Sequence, residues 1–249
     1  MNPSSTLLHG SQQYVEAHRW LKRSGRLKWL LWPLLCSLLM LPVYGYAVYY
    51  TTVFSLQGLV GYFDWPLYGW AYWLAFPVVL LIGLFVGYIL LKNIIMLLCV
   101  PLNAVLADAV ISEQLGHAAQ SWTDLLRSML RAILMTLLVL IITLMTTLLL
   151  LILGFIPVAG AIAAFVLGIG IQGFLAAWGF FDPIYERAGV GIYAGLRRSL
   201  KLLPHSLSNG IPFMLLFQIP VLGWTLAPTY GAVAGALHAC QLYQQGKLV

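Results

Sequence analysis

Long stretches without a charged side chain alternate along this sequence with short segments where basic residues gather. No Asp, Glu, Lys or Arg occurs at 29–63, 132–181 or 202–246. An apolar run of about 18 residues or more is long enough for a membrane-crossing helix. The pattern predicts a first span over about 27–49; its charged lead-in and length fit a retained span better than a cleaved signal segment. A loop over 51–67 is expected next, with Asp64 among Tyr62, Trp65, Tyr68, Trp70 and Trp73, an aromatic belt suited to a membrane interface. The second apolar segment starts near Leu67 and continues past Lys92 and Pro101 to about Leu106. That is too long for one straight crossing, so a long helix kinked at Pro101 is expected. Ser121-Trp-Thr-Asp124 has the form of a capping box and opens a helix that runs past Arg127 and Arg131 into the uncharged run 132–181.

Two segments are amphipathic at helical spacing. Over 11–23, Tyr14, Val15, His18 and Leu21 share one face, and Gln12, Glu16, Arg19, Lys22 and Arg23 the other, which predicts a helix lying on the membrane surface. Over 192–203, Ile192, Leu196, Leu200 and Leu203 oppose Arg197, Arg198 and Lys201 in the same manner. Gly154-Phe-Ile-Pro157 interrupts the run 132–181 and folds it into a helical hairpin. A second hairpin is expected from 211–218 and 224–243. Its first arm, at 210–219, rises only about 15 Å, roughly half a hydrocarbon core. It is predicted to dip into the bilayer and return under the cover of neighbouring helices.

The tips of the two hairpins share a word. Ile-Pro-Val-Ala-Gly at 156–160 returns as Ile-Pro-Val-Leu-Gly at 219–223, an offset of 63 positions. Every fourth residue after the first word gives Gly160, Ala164, Gly168, Gln172 and Ala176; after the second it gives Gly223, Ala227, Gly231, Gly235 and Ala239. Stripes of small residues let helix backbones approach closely in lipid. The reading is therefore that Pro157 and Pro220 set the turns and that the stripes face other helices, within the chain or in a homo-oligomer. Off-stripe positions such as Ile169 and Val233 are expected to accept bulk. Gln172 interrupts the first stripe and reads as an interhelical hydrogen-bonding group.

Composition agrees with this threading. Of 249 residues, 61% are apolar and 8% charged, which is too few charges to wet the surface of a soluble domain. The chain is expected to be an all-α integral membrane protein and a single membrane domain, with 1–26 an amphipathic N-terminal segment and 27–249 the membrane helices and their connections. The formal charge is +6, and all thirteen basic residues fall on one side of the proposed threading. That placement points to lipid headgroups rather than nucleic acid and predicts an inner membrane location with both termini cytoplasmic and Asp64 outside. Cys36, Cys99 and Cys240 are odd in number and lie far apart in apolar surroundings, which suits small core residues rather than a metal or redox centre. His205 and His238 read as isolated, satisfied polar residues. No nucleophile elbow, phosphate-binding loop or zinc-binding helix motif is present, so neither an enzyme nor a cofactor is expected.

Some charged residues are candidates for solute handling. Gly25, Arg26, Leu27 and Lys28 open the first span, where free backbone N–H groups and two cations can hold an oxyanion without a metal. The same cluster suits an anchor gripping lipid phosphates. Asn103, Asp108 and Glu113 lie in an otherwise apolar segment, where the acidic groups can repel anions, pair with Arg127 or Arg131, or gate a pathway. Arg197 and Arg198 divide between a phosphate anchor and a pathway lining.

Several local words, in order along nearly the whole chain, resemble the CysZ-type sulfate permease family, related to the etoposide-induced membrane proteins. They are Gly25-Arg-Leu-Lys28 with Trp32-Pro-Leu-Leu35, Val100-Pro-Leu-Asn-Ala-Val-Leu-Ala-Asp108, Phe181-Asp-Pro183, Gly195-Leu-Arg197 and the paired Ile-Pro-Val-x-Gly turns. The resemblance implies an oligomeric helical membrane protein that imports sulfate, or a related small oxyanion, for cysteine synthesis without nucleotide hydrolysis. This chain departs from the family pattern in having Leu27-Lys28 where two adjacent basic residues are usual, Asp108 where Glu is usual, and Phe-Asp-Pro where Asp-Tyr-Pro is usual. The rival class is a non-transporting scaffold or lipid-organising protein built from the same hairpins.

Overall fold

The computed structural model describes residues 3–63, 69–116, 118, 120–219 and 221–248. Asp64 and Pro220 lie outside the described residues. The described chain folds into helices α1 (Pro3–Arg23), α2 (Leu31–Phe63), α3 (Trp70–Leu98), α4 (Val100–Leu115), α5 (Trp122–Gly154), α6 (Ala159–Arg187), α7 (Ile192–Lys201), α8 (Leu203–Phe217) and α9 (Leu222–Gln244). A 3-10 turn, Arg26–Leu30, joins α1 to α2. The segments Arg26–Phe63, Tyr72–Leu98, Trp122–Gly154 and Ala159–Arg187 are long and apolar enough to cross a membrane.

The first span is longer than the sequence predicts. Helix α2 continues unbroken through 51–63, where a loop was expected. Val48, Thr52 and Leu56, four residues apart, are buried on the face that packs along α3. That contact holds the helix past the expected interface and leaves Tyr62 exposed at its end. The second segment divides at Cys99, which caps the end of α3 and the start of α4, with Pro101 in the first turn of α4. A proline there costs no hydrogen bond, because the first N–H groups of a helix have no partner within it. The capping box forms as expected: Ser121 Oγ accepts from the Asp124 backbone N–H at 3.3 Å.

The repeated word makes one turn twice. Val158 has φ 58° and ψ −66°, and Val221 has φ 63° and ψ −60°, the only non-glycine positive-φ residues among those described. Around Val158, the Ala159 N–H donates to the Pro157 carbonyl at 2.7 Å, closing a γ-turn of the strained hand. A β-branched residue is held at such angles only where its surroundings over-determine them. The glycine two residues on supplies part of that constraint. A Cβ on Gly160 would strike the Leu153 carbonyl, and one on Gly223 would strike the carbonyl of Leu216, the equivalent residue 63 positions later.

The interior is organised around α9, most residues of which are buried, without a break from Gly231 to Cys240. Its small-residue stripe packs within the chain: a Cβ on Gly231 would meet Phe180 and Phe213 at 2.5 and 2.8 Å, and one on Gly235 would overlap Phe180. Val233, expected to tolerate bulk, is instead fully buried in a cluster with Ala17, Trp20, Leu21 and Leu106, because α9 is covered on all sides. On α6 the stripe is looser. Gly168 would bring a Cβ to 3.5 Å from Leu150 on the other arm of its own hairpin, an ordinary contact. The tightest crossing lies one residue off the predicted stripe, where Gly210 of α8 meets the backbone of Gly173 on α6: a Cβ on Gly210 would collide with it, and one on Gly173 would sit tightly, 3.1 Å from Gly210.

Helix α1 packs on protein, with its face rotated from the predicted one. Gln13, Ala17, Trp20 and Leu21 are buried, whereas Val15 is exposed. Its polar groups find partners across the bundle: Gln13 Nε2 donates to Gln241 Oε1 at 3.0 Å, Tyr14 OH to the Asn209 carbonyl at 2.9 Å, and His18 Nδ1 lies 2.7 Å from Tyr230 OH. Helix α7 likewise turns Gly195 and Ser199 inward, against Tyr185, and leaves Leu200 exposed.

The Gly173–Gly210 crossing generates a stability prediction. Overpacking a tight backbone contact costs about 1–3 kcal/mol. Gly210→Ala is therefore expected to melt well below wild type in mild detergent. Gly170→Ala, which adds its Cβ to open space on the same helix α6, is expected to match or exceed wild type. Equal melting of the two variants would show that the crossing is not close.

Candidate functional site

The helices enclose a cavity of about 140 Å³ between α3, α4, α5, α6, α8 and α9. A water molecule occupies about 30 Å³ in the liquid, so a few waters or one small hydrated ion would fit. Much of its wall is apolar, contributed by Met96, Met135, Leu175, Phe180 and Phe213. Charged and amide groups converge on it: Lys92 and Asn93 from α3, Asn103 and Asp108 from α4, Gln120 from the segment before α5, and Gln172, Asp182, Glu186 and Arg187 from α6.

These groups are arranged in two zones. Near the ends of the helices lie ion pairs. Arg131 of α5 grips Asp182 with both prongs of its guanidinium, Nε to Oδ2 at 2.8 Å and Nη2 to Oδ1 at 2.7 Å, and donates again to the Val190 carbonyl at 2.9 Å. Arg187 pairs with Asp108 and reaches Ser112 Oγ at 3.5 Å. Both pairs are largely shielded from solvent, where removing one partner costs roughly 3–5 kcal/mol because the other charge is left buried alone. Deeper along α6, Gln172 accepts a hydrogen bond from the Lys92 ammonium. Asn103 Oδ1 is buried without a hydrogen-bond partner among the described residues.

The sequence-predicted residues separate on this map. Asn103 and Asp108 line the cavity. The partner of Asp108 is Arg187, not Arg127 or Arg131; Arg131 is held instead by Asp182. Glu113 is outside the cavity. It accepts from Trp20 Nε1 at 2.7 Å and from Arg23, clamping α1 to α4. Arg197 and Arg198 are also elsewhere: the Arg197 guanidinium sits 5.7 Å from the Tyr193 ring centre, and Arg198 Nη1 is 3.4 Å from the Leu248 carbonyl. Gln172 makes the interhelical bond expected of it. Lys92, Asp182, Glu186 and Arg187 were not singled out in the sequence, and for Lys92 a signal existed. It is the only charged residue between Asp64 and Asp108.

The turn Gly25–Lys28 is separate from the cavity. Gly25 adopts the left-handed conformation, φ 68°, and caps the 3-10 turn. Its own N–H is used, donating to the Lys22 carbonyl at 3.2 Å. Leu27 packs inward on the cluster of Leu21 and Leu106. The Arg26 guanidinium lies 5.2 Å from the Trp20 ring centre, and Lys28 is exposed. Neither cation forms an ion pair among the described residues. A second groove, between α2 and α3, is lined by Met40, Tyr44, Thr52 and Leu90 and has no charged residue in its wall.

A comparison with curated proteins found no match. The sequence profile of one family matches residues 14–228, which includes the Gly25 turn, the cavity and both hairpin turns. Four membrane-length helices and a match over most of the chain lead to one conclusion: this is a multi-pass membrane protein that belongs to the family described as sulfate transporter CysZ/etoposide-induced protein 2.4.

Proposed function

We propose that this protein is a permease for sulfate or a related small oxyanion, importing it across the inner membrane for cysteine synthesis. The observation that carries the reading is a largely apolar cavity, reached by a lysine and several amides, inside a bundle of membrane-length helices. A scaffold has no use for a cation without a carboxylate partner among the described residues in an apolar bundle, whereas a pathway for anions does. Membership of a transporter-type family supports the same class. No cofactor or coupling ion is proposed. The functional unit is a single membrane domain, which we take to assemble as a homo-oligomer among membrane lipids.

The Gly25–Lys28 turn is proposed as the cytoplasmic access site. Two cations without carboxylate partners among the described residues flank backbone N–H groups at the start of a helix, a combination that attracts doubly charged anions. The orientation proposed for it puts both termini in the cytoplasm. Helices α1 and α9 are joined by the Gln13–Gln241 bond, and Gln244 Nε2 donates to the Gln114 carbonyl at 3.1 Å, so the N-terminal helix and the end of the last helix share one end of the bundle.

Purified protein in sealed vesicles is expected to pass labelled sulfate, and to discriminate among sulfate, sulfite, thiosulfate and chloride. Vesicles that pass none of them would favour the scaffold. Replacing Arg26 and Lys28 together with Gln should weaken sulfate binding by about tenfold or more, equivalent to about 1.4 kcal/mol. Unchanged affinity in folded protein would make the turn a lipid anchor. For orientation, Asp64→Cys in a background without Cys36, Cys99 and Cys240 should react with an impermeant thiol reagent in intact cells, and cysteines placed in the terminal segments should not. Equal labelling at both would rule out a single orientation.

A further inference from the structure

Lys92 stands near the C-terminal end of α3, six residues before Leu98, where a lysine ordinarily extends outward to the headgroups. It does the opposite. Its ammonium donates to Gln172, which lies 13 residues from the start and 15 from the end of α6, near the middle of that helix. Asp182 and Glu186 are ten and fourteen residues further along α6, about 15 and 21 Å by helical rise. Asp182 is already bound by Arg131, and Asp108 by Arg187. Among the described residues no carboxylate pairs with Lys92.

An ammonium in an apolar interior is costly unless its charge is met. The Gln172 oxygen takes one of its three N–H donors and leaves two for something else. Bonding its oxygen to Lys92 also fixes the orientation of Gln172, so its NH₂ is the free end of that amide. Of the other amides in the cavity wall, Asn93 donates to the Ile89 carbonyl and Gln120 accepts from Ser128, whereas the Asn103 oxygen is buried with no hydrogen-bond partner among the described residues. A half-turn of that side chain presents the NH₂ in place of the oxygen. One cation and two amides, carried by α3, α6 and α4, thus offer several N–H donors to the same cavity, the donor set an oxyanion requires.

We propose that Lys92, Gln172 and Asn103 form an internal oxyanion site inside the cavity, distinct from the Gly25–Lys28 turn, and that it selects anions on their way through. The proposal rests on the permease reading and adds the place where selection occurs. A permeating anion would exchange water for these donors at Lys92 and then meet Arg187 near the end of α6, where Asp108 competes for the same guanidinium.

The test uses the full chain in nanodiscs of zwitterionic lipid and equilibrium binding of labelled sulfate. Lys92→Gln should weaken binding by about tenfold or more, Lys92→Arg should retain most of it, and Gln172→Leu should weaken it by a smaller factor. In a background with the three native cysteines replaced by alanine, Lys92→Cys should regain binding after aminoethylation of the thiol and should not after sulfonatoethylation. Because both products come from one folded preparation, this comparison holds even if Lys92→Gln misfolds. Sulfate affinity independent of the group at position 92 would overturn the proposal. Binding abolished in discs of anionic lipid would assign the site to a lipid phosphate and overturn it also. Vesicle flux separates the two readings. Wild-type flux with Lys92→Gln unchanged sinks the internal site alone, whereas Lys92-dependent binding without any flux upholds the site and sinks the permease.

Discussion

Helix α8 is too short. Its 15 residues rise about 22 Å against a hydrocarbon core of about 30 Å, and it contains Ser206, Ser208 and Asn209. A helix that ends inside a membrane must have its terminal backbone groups covered by protein, since lipid cannot bond them. The rest of the bundle is arranged to provide that cover. Helix α6 approaches until Gly173 touches Gly210, α9 returns alongside, and α1 folds back so that Gly10 lies against the backbone of Ser208 and Tyr14 OH bonds the Asn209 carbonyl. The buried serines are satisfied locally, Ser206 by the Ser199 carbonyl and Ser208 by the His205 carbonyl.

The ion pairs hold the rim of this arrangement. Each of the three among the described residues joins two different helices: α1 to α4 through Glu113, α4 to α6 through Asp108, and α5 to α6 through Asp182. Shielded pairs add little net stability over apolar replacements of the same shape, but they penalise any arrangement that separates them. They therefore specify which helices meet, in a bundle whose apolar surfaces would otherwise pack with little preference. The exposed Arg23–Glu113 pair is the weakest of the three as a charge contact, and the Trp20 indole bond to the same carboxylate supports it.

Much of the fold is written in local pattern. The uncharged runs mark the crossings, the capping box starts α5, and Ile-Pro-Val-x-Gly marks both hairpin tips. Patterns that depend on the partner read less well. Amphipathicity placed α1 on a lipid surface because nothing local distinguishes a face that meets headgroups from one whose Gln13 and Tyr14 meet α9 and α8. The continuation of α2 to Phe63 depends on packing along α3, which no window of α2 alone contains. The site divided in the same way. Asn103 and Asp108 stood out as polar residues in an apolar segment. The pairing of Lys92 with Gln172 joins positions 80 residues apart, and the ends of α6 supply Asp182 and Arg187 only once the hairpin has closed.

The shortness of α8 also bears on how the chain enters the membrane. A translocating machinery recognises long apolar segments, and α2, α3, α5 and α6 qualify, whereas neither α8 nor α9 is among the helices apolar and long enough to be taken in unaided. An order of insertion consistent with this lays the four spans down first and docks the C-terminal hairpin onto them afterwards. Until it docks, the Gly173 face of α6 and the donors of Gln172 are open to lipid or to an assembly factor. A ribosome that stops before residue 203 would leave a product that is fully inserted and yet unfinished, the kind of species that membrane quality-control proteases remove.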